Sequence, residues 1–129
     1  MSADRGRVLL IMLAAVLALT LGETALAKGV KQAGHIERGR AAQVVAVVLN
    51  RWVVAGSVLL VVHLGLYLLA LRRSDLSFAL PLTAASYPLS ALMARFYLRE
   101  DVGTVRWLGT LLITVGVAIV ALSDAAADR

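Results

Sequence analysis

Long apolar runs alternate along this chain with short polar breaks. Four runs stand out, at 8–27, 52–71, 78–98 and 105–122, each flanked by Arg, Lys, Asp or Glu. A hydrocarbon core about 30 Å thick takes about 20 residues of helix to cross. Each run therefore predicts one transmembrane helix. Helices satisfy their own backbone hydrogen bonds in lipid, and no alternating strand pattern competes with them. The expectation is an all-α membrane protein, with a single four-helix transmembrane domain over residues 1–129. The breaks order the spans. Residues 28–40, rich in Gly, Lys and Arg, read as a surface linker. Residues 41–50, AAQVVAVVLN, are too short to cross and read as an interfacial helix, a re-entrant piece or an extension of the second span, with a break at Asn50-Arg51. The four-residue loop 72–75 makes the second and third spans antiparallel neighbours. The third span ends at Arg99-Glu100-Asp101, and a turn through Gly103 starts the fourth. The acidic tail at 124–129 should be solvated and frayed.

Composition sharpens this picture. Of 129 residues, 60% are apolar and only 16% charged, so little chain is left for a soluble domain. The net charge of +5 does not signal nucleic acid, because the basic residues are scattered at span ends, where they meet lipid headgroups. Cysteine is absent, which excludes disulfides, thiolate metal sites and cysteine nucleophiles. The two histidines have no carboxylate at ligand spacing, so no metal is expected. With no phosphate-binding loop and no nucleophile–base pair, neither a cofactor, ATP nor an enzyme activity is predicted. Four spans put both termini on one side. About five Lys/Arg lie on that side and seven or eight on the other, a weak bias that favours termini outside and permits both orientations. Arg5 and Arg7, the first apolar run and Ala25-Leu26-Ala27 also resemble a cleavable secretory signal, which the mass of the purified protein would reveal.

Polar residues inside the spans carry the candidate chemistry. Glu23 sits deep in the first run, where a charge costs on the order of 3 kcal/mol or more. Hydrocarbon disfavours the ionised form, so one carboxylate there can hold a proton or a cation but not both, which is enough to couple proton flow to export. In the third span Thr83, Ser86, Tyr87 and Ser90 follow helical spacing and form a polar stripe, which in lipid must face protein or a wet cavity. Pro81 and Pro88 bracket it and predict a kink, and kinked helices are where membrane carriers hold substrate. In the second span His63 and Tyr67 share a face with Gly56 and Leu60, giving either a proton relay or an interhelical donor. Arg95 is expected to snorkel. Small residues mark packing faces: Ala15, Ala18, Gly22 and Ala25 on the first span, Gly109 and Gly116 on the fourth.

Taken together, four short spans, a carboxylate in the first, a kinked polar third and a glycine pair in the fourth resemble the drug/metabolite transporter (EamA-like) superfamily. Its four-helix members are the small multidrug resistance exporters and the subunits of the aminoarabinose–undecaprenyl-phosphate flippase. The phrase LSFALPLTAASYPLSALMARFYLRED, residues 76–101, is similar to the third span of the flippase subunits, and GTVRWLGTLLITVGVAIVALS, residues 103–123, to the closing span of either group. In the exporters Gly109 and Gly116 would match the glycines of the dimer contact, and Glu23 the carboxylate that binds protons and cations. The exporters' tryptophan on the third span has no counterpart before Tyr87, which points away from drug cations and toward a metabolite or a lipid-linked head group.

The expected protein is thus a multi-pass inner-membrane transporter that moves or flips a small polar or lipid-linked substrate without ATP. It would work as eight helices, paired with itself or a related four-helix subunit in the bilayer, with no nucleic acid involved. Glu23, His63, Tyr67, Thr83, Ser86, Tyr87 and Ser90 would face its cavity. Two other functions share these residues. A proton-coupled multidrug exporter requires Glu23, whereas a flippase need not depend on it. A membrane scaffold or accessory subunit requires Gly109 and Gly116 and tolerates changes in the cavity.

Overall fold

The computed structural model describes residues 2–34 and 39–127. Six helices follow one another: α1 (Ser2–Ala33), α2 (Ala41–Val48), α3 (Arg51–Leu71), α4 (Leu76–Thr83), α5 (Ser86–Phe96) and α6 (Thr104–Ala127). They make four segments long and apolar enough to cross a membrane, Gly6–Ala33, Arg51–Leu71, Leu76–Phe96 and Thr104–Ser123, with α4 and α5 sharing the third. The all-α class holds, and no strand occurs among the described residues.

The helix ends differ from the expected bounds most at the first and last spans. Helix α1 does not stop at residue 27 but runs on to Ala33, so the first part of the supposed linker is helix. Hydropathy ends at Lys28, but Ala, Lys and Gln are good helix formers and carry the helix on. It ends at Gly34, whose φ of 71° is the left-handed conformation that closes many helices. At about 1.5 Å per residue α1 outreaches the hydrocarbon, and Lys28 and Lys31 ride on its end. Of the rest of the linker, Gly39 and Arg40 are exposed and non-helical, and 35–38 lie outside the described residues; the tail expected to fray from residue 124 is instead helix as far as Ala127, its alanines extending α6, and 128–129 lie outside the described residues. The break at Asn50 is as expected. Its side chain accepts a hydrogen bond from Trp52 N–H at 2.9 Å and caps α3, leaving α2 as a separate short helix with no buried residue.

The third span breaks as the prolines predict. Pro88 has no N–H for the Ala84 carbonyl, and its ring crowds that oxygen. The chain tightens there into three-residue turns: Ala84 N–H to Pro81 O at 3.0 Å, Ala85 N–H to Leu82 O at 3.0 Å and Tyr87 N–H to Ala84 O at 3.1 Å. At its far end α5 turns over Arg99, which takes a φ of 55°, and Glu100 N–H reaches back to Ala94 O at 2.9 Å.

Helix α1 is the centre of the packing. It lies between α3 on one side and α4–α5 on the other, while α6 packs chiefly on α4 and α5. The small face read from the sequence is the buried one: Val8, Met12, Ala15, Ala18, Gly22, Ala25 and Gly29 are all covered. Helices associate in lipid through close packing rather than a hydrophobic drive, so small residues decide who meets whom. Gly22 and Gly29 of α1 meet α3 at Gly56 and Val53, with backbone nearly touching backbone. Toward the termini, Val8, Met12, Ala70 and Ala79 close a small apolar core, lined by Tyr67 and Phe78.

Candidate functional site

The candidate site is built where α1 faces the broken third span. Helix α1 presents Glu23, and α5 presents Ser90 one helical level away from the proline break. Ser90 Oγ donates to Glu23 Oε2 at 3.1 Å, on the exposed side of the subunit. Ser86 and Ser90 lie one turn apart on α5, and Ser86 is only 5% exposed, while Tyr87, about 100° round the same helix, is 62% exposed.

The other expected cavity residues go elsewhere. Thr83 Oγ1 donates to the Ala79 carbonyl of its own helix at 3.0 Å, which leaves it no hydrogen to offer a ligand. His63 lies 2.7 Å from the Ala15 carbonyl through Nδ1. A carbonyl can only accept, so Nδ1 carries the proton and Nε2 is left as acceptor in the neutral ring. The ring stacks on Tyr67, with centroids 6.0 Å apart and planes 18° apart. Tyr67 in turn packs on the apolar core near the termini. His63, Tyr67, Gly56 and Leu60 do share a face, but that face is packed on α1 rather than open to a chamber. Glu23 and Ser90 are brought together; His63 and Tyr67 form a separate contact about eight residues of α1 away, roughly 12 Å along the axis.

A Cβ at Gly109 or Gly116 would meet nothing within 4 Å from the rest of the subunit. On the other face of α6 from these glycines, between α5 and α6, a groove of about 350 Å³ is lined by Pro88, Leu92, Trp107, Leu111 and Thr114 among others. The hydroxyls of Thr110 and Thr114 are turned back onto Arg106 and Thr110 carbonyls at 2.8 Å each, so the groove wall is effectively apolar.

Sequence reasoning missed a second polar corner. Lys28, near the end of α1, lies 3.9 Å from the centroid of the Trp52 ring and 4.8 Å from that of Tyr97. It donates to Tyr97 Oη at 2.9 Å. Arg51 approaches the same Trp52 ring, with 6.0 Å to the centroid. One turn on from Lys28, Lys31 pairs with Glu100. The corner joins the ends of α1, α3 and α5. The signal in the sequence is an interfacial Trp52 and a Tyr97 flanked by cations, masked because hydropathy ends the first span before Lys28. Deeper in α1, Thr24 Oγ1 donates to the Thr20 carbonyl at 2.7 Å, and the Thr20 hydroxyl, 3% exposed, has no partner.

No family model matches the chain, and no solved structure matches it. It is similar to a probable 4-amino-4-deoxy-L-arabinose-phosphoundecaprenol flippase subunit ArnE of Pseudomonas savastanoi pv. phaseolicola, 34% identical over 74 residues, which are 57% of this chain and 65% of that one. It is similar also to the protein of the same name from Pseudomonas fluorescens, 38% identical over 53 residues, 41% of this chain and 46% of that one. The chain thus matches less than two thirds of the length of either relative. The relatives and the four spans together fit the small four-helix type of drug/metabolite transporter and a multi-pass inner-membrane protein.

Proposed function

We propose that this chain is one subunit of an inner-membrane transporter that moves a lipid-linked substrate between leaflets without ATP. The observation that carries the reading is Glu23 joined to Ser90 across α1 and the proline-broken third span, in a chain similar to flippase subunits. An acidic group at membrane depth is stable only against a cavity or a partner, and here it faces the open side of the subunit. The relatives' name specifies an amino sugar on a phosphate-linked polyprenol. An ammonium is the charge that Glu23 complements, and the apolar groove between α5 and α6 suits a prenyl chain.

Four helices enclose little space, so the working unit is proposed to have eight. Helix α6 supplies the contact, since Gly109 and Gly116 lie seven residues apart on one face, where a Cβ would meet nothing from the rest of the subunit. Pairing with itself or with a related four-helix subunit would both close the chamber over Glu23, Ser86, Tyr87 and Ser90.

Reconstitution tests the function directly. Proteoliposomes carrying this chain, alone or with a related four-helix subunit, are loaded in one leaflet with an aminosugar phosphopolyprenol. A membrane-impermeant amine-reactive reagent then reads how fast the head group reaches the other leaflet. Protein-dependent appearance of the amine supports the reading; no acceleration over empty vesicles in either format rejects it. Gly109→Leu with Gly116→Leu is expected to abolish assembly while leaving the subunit's melting temperature within a few degrees of the parent, because a Cβ at either glycine would meet no neighbour inside the subunit. Crosslinking in membranes and a thermal melt check both halves. An unchanged crosslinked dimer would move the contact off α6.

A further inference from the structure

The corner formed by Lys28, Arg51, Trp52 and Tyr97 has an unusual balance of groups. Lys28 and Arg51 both approach the Trp52 ring, and among the described residues neither has a carboxylate within ion-pair reach. Their neighbours differ: Lys31 pairs with Glu100, and Arg95 with Asp101 at 3.3 Å. The Trp52 indole N–H is buried without an acceptor, although such groups usually find one. Tyr97 Oη accepts from Lys28, which leaves its own hydrogen to donate. Among the described residues, two positive charges and two spare donors therefore share one corner, and the Glu100 carboxylate is already engaged by Lys31. Aromatic faces hold the cations in place, and a compact, multiply accepting anion satisfies what they lack.

Its place along α1 matters as much as its chemistry. Lys28 is five residues from Glu23, about 7.5 Å farther along the axis toward the membrane surface. The acceptor pair Glu23–Ser90 lies deeper and the donor corner shallower, at a separation on the scale of one sugar ring. We propose that the Lys28–Arg51–Trp52–Tyr97 corner binds the phosphate of the lipid-linked substrate while Glu23 binds its amine. This inference rests on the transport reading above and assigns the second half of the same site. A head group with opposite charges at its two ends is thereby recognised at both, and a neutral or purely cationic lipid is not.

Binding can be read through the corner itself. The chain has two tryptophans, so the Trp52 signal is read as the difference in emission between the parent and Trp52→Phe. The full-length protein, in nanodiscs of zwitterionic phospholipid, is titrated with undecaprenyl phosphate, with undecaprenol, with inorganic phosphate and with phosphatidylglycerol. Undecaprenyl phosphate is expected to bind and to change Trp52 emission, the other three to bind at least tenfold more weakly. Lys28→Gln should weaken undecaprenyl phosphate roughly tenfold or more, the worth of one hydrogen-bonded charge contact. Lys28→Arg should restore most of it, and Lys31→Gln should leave it unchanged. Arg51→Gln gives an independent test that spares the Tyr97 bond, and thermal melts establish that each variant is folded. If undecaprenyl phosphate binds equally well with and without Lys28 and Arg51, the corner is not its phosphate site and the transport reading stands. If undecaprenol, phosphatidylglycerol or inorganic phosphate matches it, the assignment to a lipid-linked sugar phosphate is wrong. If the parent protein binds none of the probes, the phosphate assignment falls, and the proteoliposome assay alone decides the transport reading.

Discussion

Glu23→Gln is expected to slow movement of an amine-bearing lipid by about a hundredfold or more, and at the same time to raise the subunit's melting temperature in detergent. The two effects have one cause. Glutamine keeps an oxygen to accept from Ser90 Oγ, so the 3.1 Å contact between α1 and α5 survives. What disappears is the negative charge, which is costly to keep at membrane depth and is the partner of the incoming ammonium. Leaving one member of a desolvated ion pair alone costs about 3–5 kcal/mol, which is roughly a hundredfold to several thousandfold in rate. Ser90→Ala should cost far less, about fivefold, because a neutral hydroxyl bond nets only about 1 kcal/mol. Proteoliposome rates with an amino head group and with its hydroxyl analogue separate charge recognition from general damage. The hydroxyl analogue should slow by only a few fold in Glu23→Gln. Equal losses for both head groups would mean that Glu23 supports the fold or the coupling rather than the amine.

Part of this architecture is visible in the order of residues alone, and the boundary between the visible and the hidden is physical. Local rules decide where helices start and break, so the spans, the Asn50 cap and the interruption ahead of Pro88 could all be read. Periodicity decides which residues share a side, so the small face of α1 and the common face of Gly56, Leu60, His63 and Tyr67 could be read too. What lies opposite a face is a tertiary fact. His63 and Tyr67 were expected at a chamber and instead meet the Ala15 carbonyl and the apolar core. The stripe from Thr83 to Ser90 assumes one continuous helix; the break rephases Thr83 against the rest, and Tyr87, about 100° from Ser86 on the same helix, lies on the open side. The Lys28 corner needed contacts across 69 residues, from α1 to Tyr97. Hydropathy hid it further, because it ends a span at the first lysine even where the helix continues.

The glycines give the sharpest structural prediction. Gly56→Ala is expected to lower the melting temperature more than any alanine substitution at Gly65 or Gly109, and to weaken the site with it. A Cβ on Gly56 would stand 2.7 Å from the Gly22 carbonyl oxygen and 2.9 Å from Leu26 N. Both are backbone atoms of α1, so relief requires the two helices to move apart. Overpacking of this kind costs about 1–3 kcal/mol, and in lipid no hydrophobic drive compensates for lost contact. Gly29→Ala should behave alike, since its Cβ would lie 2.6 Å from Val53 Cγ2 and 2.9 Å from Val53 N. Gly22→Ala should be milder, because its nearest contact would be 3.0 Å. A Cβ at Gly65 or Gly109 would meet nothing within 4 Å, so alanine there should be neutral or slightly stabilising through helix propensity. Separation of α1 from α3 would also pull Ala15 from His63 and Lys28 from Trp52. Fluorescence-detected melts of the five variants establish the order, and Trp52 emission reports the Lys28 corner. A ranking in which Gly65→Ala or Gly109→Ala is as damaging as Gly56→Ala would mean that α1 and α3 do not cross at Gly22 and Gly56. The placement of Glu23 and Lys28 relative to each other's partners would then have to be redrawn, because both ride on the helix that this crossing fixes.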